Sequence, residues 1–394
     1  MTMSKLVLKV CIGKWNSASR DKRELSACRE LGLRTLVLAG GDPGDHGRPD
    51  TVDGFEVLRY TTRPLGENAS TKLNRGLSIL QWAHAIRKLH PDIISAHDVV
   101  ALYIAWLSTL FQPRSKRPAL IYDSHEFEIG RNTGGARKVM AARIIKFGEG
   151  FLMKRSAFSI VVNDSIADAL QQIHHLQQRP VVVRSTPERW TRNEEMIAAV
   201  RSRMLAEMPG VQYLLMFHGN LGRGNGIPDI IRAAARFPDA GLVLMGAQND
   251  PPFVEELKAL PDQCGMQGRV IFWPPVPIET LVNYVGAVDL ELMPIEPIVQ
   301  SHYYVLPNKF FESVQAEVPI IASDLPEMQR LLDQYHIGLS CKPNDVDGLC
   351  RCIETMRSDP AFYERCRENL RAAKQELCWE KEKTVLQQAY RVLL

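Results

Sequence analysis

Short apolar runs rich in β-branched residues alternate with longer stretches of helical periodicity along almost the entire chain. That alternation predicts parallel α/β units. In the first half the runs predict strands near 5–12, 34–39, 93–96, 119–123, 158–163 and 180–184. Helical stretches such as 20–31, 75–90 and 137–155 lie between them. Around 185–200 the pattern gives way to the polar, turn-rich STPERWTRNEE, which reads as a linker. A second series then predicts strands near 213–219, 241–246, 269–273, 288–294, 318–323 and 337–341, followed by a helical 360–394. The expected architecture is α/β, with two Rossmann-like doubly wound domains at 1–190 and 191–375. Residues 376–394 form a C-terminal helix expected to pack back toward the first domain. Ligands of such sheets bind outside the carboxyl ends of the strands, so domains facing across a cleft would hold one between them.

Composition narrows the class. With 394 residues, 45% hydrophobic and 24% charged, the chain is neither disordered nor collagen-like. The longest apolar stretch, VVALYIAWLSTLF at 99–111, falls short of the roughly 18–20 residues that span a bilayer. The N-terminus shows no charged–apolar–small leader pattern, so the expected location is the cytoplasm. Eight cysteines lie scattered without C-x-x-C pairs, and neither a metal nor a bound cofactor is expected. The net charge of +3 hides a split: 27 basic and 17 acidic side chains in 1–185, against 21 and 28 in 186–394. A basic first half suits an anionic partner.

Two segments carry candidate chemistry. In FHGNLGRGNG (217–226) a strand runs into a loop with four glycines and then into a helix. Such a loop lets backbone N–H groups approach an anion, and the helix N-terminus adds partial positive charge. Gly219, Asn220, Arg223 and Gly224 are candidates there, with Arg223 able to fork onto phosphate oxygens. In YYVLPNKFFESVQAEVPIIASDLPE (303–327), Pro307 reads as the first helical position and Asn308 and Lys309 fall in the first turn. A lysine there opposes the macrodipole unless an anion sits beside it. Glu312 follows Asn308 by about one turn, and a carboxylate can accept two hydrogen bonds from a vicinal diol.

These residues resemble glycosyltransferase family four, of the GT-B fold. LPNKFFESVQAEVPIIASDLPE is similar to its nucleotide-sugar-binding segment. HPDIISAHDVVAL, LIYDSHEFE, FSIVVNDSIADAL, VVVRSTPE, the glycine loop and RVIFWPPVP echo family stretches in the same order. The resemblance implies a metal-independent, retaining transfer of a sugar from a nucleoside-diphosphate donor, UDP or GDP, to a glycan, lipid-linked or small-molecule acceptor. It makes Glu312 the second glutamate of an E-x7-E element that binds ribose; Tyr304 stands where the first would be. It makes Arg223 a diphosphate grip with Lys309 as second cation, since Asn220 stands where an arginine often sits. His125, with Glu126 beside it, would lie near the transferred sugar, while His97 and Asp98 read as structural. Asn16, Arg20 and Asp21, in the loop after the first strand, become acceptor-side candidates. A sugar-nucleotide epimerase of the same architecture, or a nucleotide-sugar-binding module with impaired catalysis, is the alternative.

One segment points elsewhere. In 131–155 seven basic side chains stand against Glu149 alone, beside a broad apolar face. A basic amphipathic helix suits peripheral contact with an anionic membrane, at the inner face of the plasma membrane if the acceptor is lipid-linked. Nucleic acid is not an expected partner, because no aromatic residues interleave with the basic ones in the nucleic-acid-binding manner.

Overall fold

The computed structural model describes residues 4–394 except 16–18, 43–44, 46, 63–70, 111, 125–126 and 128–135. It also leaves undescribed the side chains of 19, 71–73, 75, 136–144 and 300. The chain divides into two compact units, Met1–Arg184 with Glu382–Leu394, and Ser185–Lys381. Each is a predominantly or wholly parallel sheet with helices between most successive strands, the architecture that the alternating pattern predicts.

The first sheet contains β1 (Leu6–Lys14), β2 (Arg34–Gly40), β3 (Pro49–Val52), β4 (Phe55–Tyr60), β5 (Ile93–Ala96), β6 (Ala119–Ser124), β7 (Phe158–Val161) and β8 (Val181–Val182). Their order is β3-β4-β2-β1-β5-β6-β7-β8. Sequence periodicity does not predict β3 and β4. They form a hairpin whose outer strand is antiparallel, closed at Asp53–Gly54 with φ of 49° and 77°. Two positive φ values in a row are what an Asp-Gly turn supplies at low cost. The helix Val99–Thr109 begins at Asp98, whose side chain accepts from the Ala101 N–H at 2.7 Å. Asp98 therefore works as a helix cap.

The second sheet contains β9 (Tyr213–His218), β10 (Ala240–Met245), β11 (Val270–Trp273), β12 (Leu290–Met293), β13 (Ile320–Ser323) and β14 (Gly338–Cys341). Its order is β11-β10-β9-β12-β13-β14. The reading of 185–200 as a linker needs correction only from residue 194 onward, since 185–193 form neither helix nor strand. A helix occupies Glu194–Ala206, capped by Asn193 on the Met196 N–H, and buries Ile197, Val200 and Met204 in the second core. Asn before two glutamates is a helix start, and the stretch looked like linker because its apolar residues come only afterwards.

The helix Trp379–Arg391 belongs with the first unit through its later residues. Tyr390 donates to Glu24 at 2.6 Å, Lys383 pairs with Glu30, and Lys5 donates to the carbonyls of Leu393 and Leu394.

The helix Ala136–Met153 lies in the basic segment. Its acidic residue Glu149 is buried, accepting from the Tyr122 hydroxyl at 2.8 Å and facing His174 at 3.0 Å, while Phe147 is 78% exposed. Among the described residues no helix is long and apolar enough to cross a membrane.

Candidate active site

In an open parallel sheet a crevice forms at the carboxyl ends where strand order reverses. In the second unit β9 is followed by β10 and β11 on one side and by β12 on the other, so the reversal lies between β9 and β12. β9 ends at His218, and the chain turns through Gly219 (φ +117°), Gly224 (+81°) and Gly226 (+66°) into the helix Ile227–Ala234. This path depends on backbones that touch. At Gly246, after β10, a Cβ would drive into the carbonyl oxygen of Gly219 from a φ of +143°. Gly246→Ala is therefore expected to cost about 1–3 kcal/mol, read as a lowered unfolding midpoint. An unchanged midpoint would show that the loop has room to spare.

Opposite the loop lies the helix Asn308–Ala316, with Pro307 as an extended cap that makes no side-chain hydrogen bond. Pro307 thus precedes the helix instead of opening it. Asn308 is exposed, whereas Lys309 is only 8% exposed. The Lys309 ammonium sits 3.5 Å from the centre of the Phe217 ring and 3.9 Å from where a Gly219 Cβ would be. Its one hydrogen-bond partner among the described residues is Asn225 Oδ1, at a long 3.5 Å. Burial lowers its pKa to about 7, although the charges of Glu291 and Glu312 pull the other way.

His218 joins these parts. It is 3% exposed, with Nε2 at 2.9 Å from Glu312 Oε2 and Nδ1 at 3.0 Å from Glu291 Oε1. The second approach is close without being aligned as a hydrogen bond; the same Glu291 oxygen accepts from the His218 backbone N–H at 3.1 Å. Burial disfavours the charged ring, but Glu291 and then Glu312 outweigh it, and the pKa rises to about 9. The two carboxylates thus favour the charged form of the ring.

Of the donor-side candidates, the structure therefore brings Gly219, Lys309 and Glu312 together. Asn220 is exposed on the loop, and Gly224 accepts from the Glu296 N–H at 2.9 Å. Arg223 points away from Lys309's cluster: it lies over Phe253 and pairs with Asp250 at 3.3 Å and Glu256 at 2.7 Å. Tyr304 ends the short helix Gln300–Tyr303, edge-on to Tyr303. His218 and Glu291 were not among the candidates. The available signal was an acidic residue within the strand LELM, whose other residues are buried and apolar.

In the first unit His125, Glu126 and Asn16 lie outside the described residues. Arg20 forks onto Asp123 Oδ1 (3.3 and 3.1 Å) and donates to the Val183 carbonyl at 2.8 Å. Asp21 has no exposed surface and meets Lys9 at 3.1 Å, Trp15 Nε1 at 3.1 Å and His97 Nδ1 at 3.1 Å. Lys9 is itself fully buried, ringed by Asp21, Glu24 at 2.5 Å and Asp123 at 3.0 Å. Those three carboxylates could ligate a cation, but the ammonium already supplies their positive charge.

Comparison with known proteins adds the family. The family model for "Glycosyltransferase Family 4" matches residues 23–186, and that for "Glycosyl transferases group 1" matches 207–373. A glycogen synthase of Mycobacterium tuberculosis is 24% identical over 396 residues, covering 93% of this chain and 88% of that protein. Among solved structures, sucrose-phosphate synthase from Thermosynechococcus elongatus superposes with a TM-score of 0.76 at 17% identity, covering 99% of each chain. HepE of Anabaena, solved in complex with UDP, gives a TM-score of 0.74 at 17% identity, again over 99% of each.

Proposed function

Since the chain belongs to glycosyltransferase family four and is a glycosyltransferase of GT-B fold, we propose that it draws its sugar from a nucleoside-diphosphate donor held at the switch point of the second sheet. The observation that carries this reading is Lys309. A buried ammonium without a carboxylate in contact is unfavourable by itself and becomes favourable beside an anion. The diphosphate would lie between Lys309, the Gly219 backbone and the first turn of the helix Asn308–Ala316, with Glu312 accepting from the ribose hydroxyls.

Cations and backbone dipoles suit the chemistry, because the leaving diphosphate gains negative charge as the sugar departs. Transfer with retention, to a glycan, lipid-linked or small-molecule acceptor, is the reaction this donor site would serve. UDP is the first nucleotide to try, given the HepE complex, and GDP the second.

Thermal unfolding with UDP, GDP, ADP and TDP tests the reading. A nucleotide at a hundred times its dissociation constant should stabilise the protein by about 2.7 kcal/mol. No shift with any of them would sink the donor-site assignment. Glu312→Ala should weaken the successful nucleotide roughly tenfold or more, measured by calorimetry, and an unchanged dissociation constant would reject its ribose role. Acceptor-dependent release of free nucleoside diphosphate would separate transfer from mere binding.

A further inference from the structure

Glu312 is not a loose surface carboxylate. Its side chain is 15% exposed, and one oxygen, Oε2, is held by His218 Nε2 at 2.9 Å. Behind the ring, Glu291 is fully buried and places Oε1 3.0 Å from Nδ1. With a carboxylate oxygen within 3.0 Å of each nitrogen, the ring cannot rotate away without giving up its hydrogen bond to Glu312. The chain Glu291–His218–Glu312 thus runs from β12 across the end of β9 to the helix that carries the proposed ribose contact. Apolar side chains of similar size would pack this space at no electrostatic cost. What they could not do is hold a carboxylate in one orientation with its other oxygen left for a ligand.

We propose that His218, backed by Glu291, is the positioning residue that fixes the Glu312 carboxylate for the ribose diol of the donor nucleotide. The inference rests on the reading of Glu312 given above. It also gives a use to a carboxylate and an imidazole buried together between β9 and β12. A glutamate has three rotatable side-chain bonds, and immobilising it in advance removes an ordering cost from each binding event.

The test compares UDP with 2′,3′-dideoxy-UDP by calorimetry on the full chain, with the GDP pair used if GDP is the nucleotide that binds. The wild type should prefer the ribonucleotide roughly tenfold, and Glu312→Ala should abolish that preference. His218→Asn can still reach Glu291 from the Nδ1 side but not Glu312, so it should lose the preference with dideoxynucleotide affinity unchanged. His218→Gln places an amide nitrogen near the Nε2 position and should restore most of it. A purely structural role would lower both affinities alike, or lower the melting temperature, without separating the two variants. Full preference in His218→Asn, or equal loss in both variants, overturns the proposal; if only His218→Asn folds, its ribose preference decides, and if only His218→Gln folds, loss of the preference in it overturns the proposal. Nucleotide binding without any ribose preference in the wild type would overturn the Glu312 reading itself, and this inference with it. Loss in Glu312→Ala but not in His218→Asn would overturn this inference alone.

Discussion

Lys9→Met is expected to cost the first unit about 3–5 kcal/mol, enough to consume a large part of a domain's stability. Lys9 lies on the central strand β1 with no exposed surface, and its ammonium is the common partner of Asp21, Glu24 and Asp123. Burial opposes its charge, but Asp123, Asp21 and Glu24 together hold its pKa well above the ordinary lysine value. Methionine fills the space and removes the ammonium that the three buried carboxylates share, although Arg20 still pairs with Asp123 at 3.1 Å. Hydrogen exchange should then show lost protection in β1, β2 and β5, with β9, β10 and β12 unchanged. The pH dependence supplies a second signature. In the wild type burial opposes ionisation of Asp21, but Lys9 and His97 outweigh it and depress its pKa. The stability Asp21 contributes is therefore present above the ordinary carboxylate range and lost as pH falls below it. In Lys9→Met the main charge that depresses the Asp21 pKa is gone while burial still opposes its ionisation, so the variant should lose less stability than wild type as pH falls. A variant as stable as wild type at neutral pH would show that the network is not a source of stability.

Lys309→Met should reduce nucleoside-diphosphate affinity on the order of ten- to a hundred-fold while leaving the fold intact. The side chain is already buried against Phe217, so methionine removes a costly charge and keeps the contact. The sign of the pH dependence follows from the pKa of about 7 in the free protein. Below pH 7 the lysine is already charged and binding needs no proton. Above pH 7 the anion must draw a proton onto the neutral amine, so affinity should fall as pH rises toward the lysine's value in the complex. Isothermal calorimetry in buffers of different ionisation enthalpy, at pH 8, should register this proton uptake in the wild type. The methionine variant should lack this lysine-dependent uptake. Equal uptake in both proteins would assign the proton elsewhere.

Much of the sheet framework was legible because its strands are runs such as RTLVLA and YLLMFHG, apolar on both faces and bounded by turns. The hairpin Pro49–Tyr60 was not, since PDTV is polar, exposed edge strand and carries no hydrophobic period. The signal that marks it is the Asp53–Gly54 turn. The start of the helix 194–206 is hidden for a related reason: its cap and first turn are polar and carry a loop-like pattern. At the site, Lys309 and Glu312 stood out because they share a helix and a spacing. His218 and Glu291 did not, because each sits in an apolar strand and they are 73 positions apart. Only strand pairing between β9 and β12 brings them together. Lys9 in LVLKVCIG was the same kind of clue, a charge in the middle of a buried strand that requires a partner from elsewhere.

The helix Trp379–Arg391 has a consequence for how the protein is made. Residues 382–394 complete the first unit, where Tyr390 reaches Glu24 in the Lys9 network, yet they leave the ribosome only after all of 185–381. The first unit therefore waits with an unfinished face through the synthesis of the second, whose residues are contiguous. Vectorial folding, in which domains close in the order they emerge, is reversed here: the later unit can close first. A fragment ending near residue 184 would lack Tyr390 and should be a poor stand-in for the first unit, whereas 185–381 is the natural piece to produce alone.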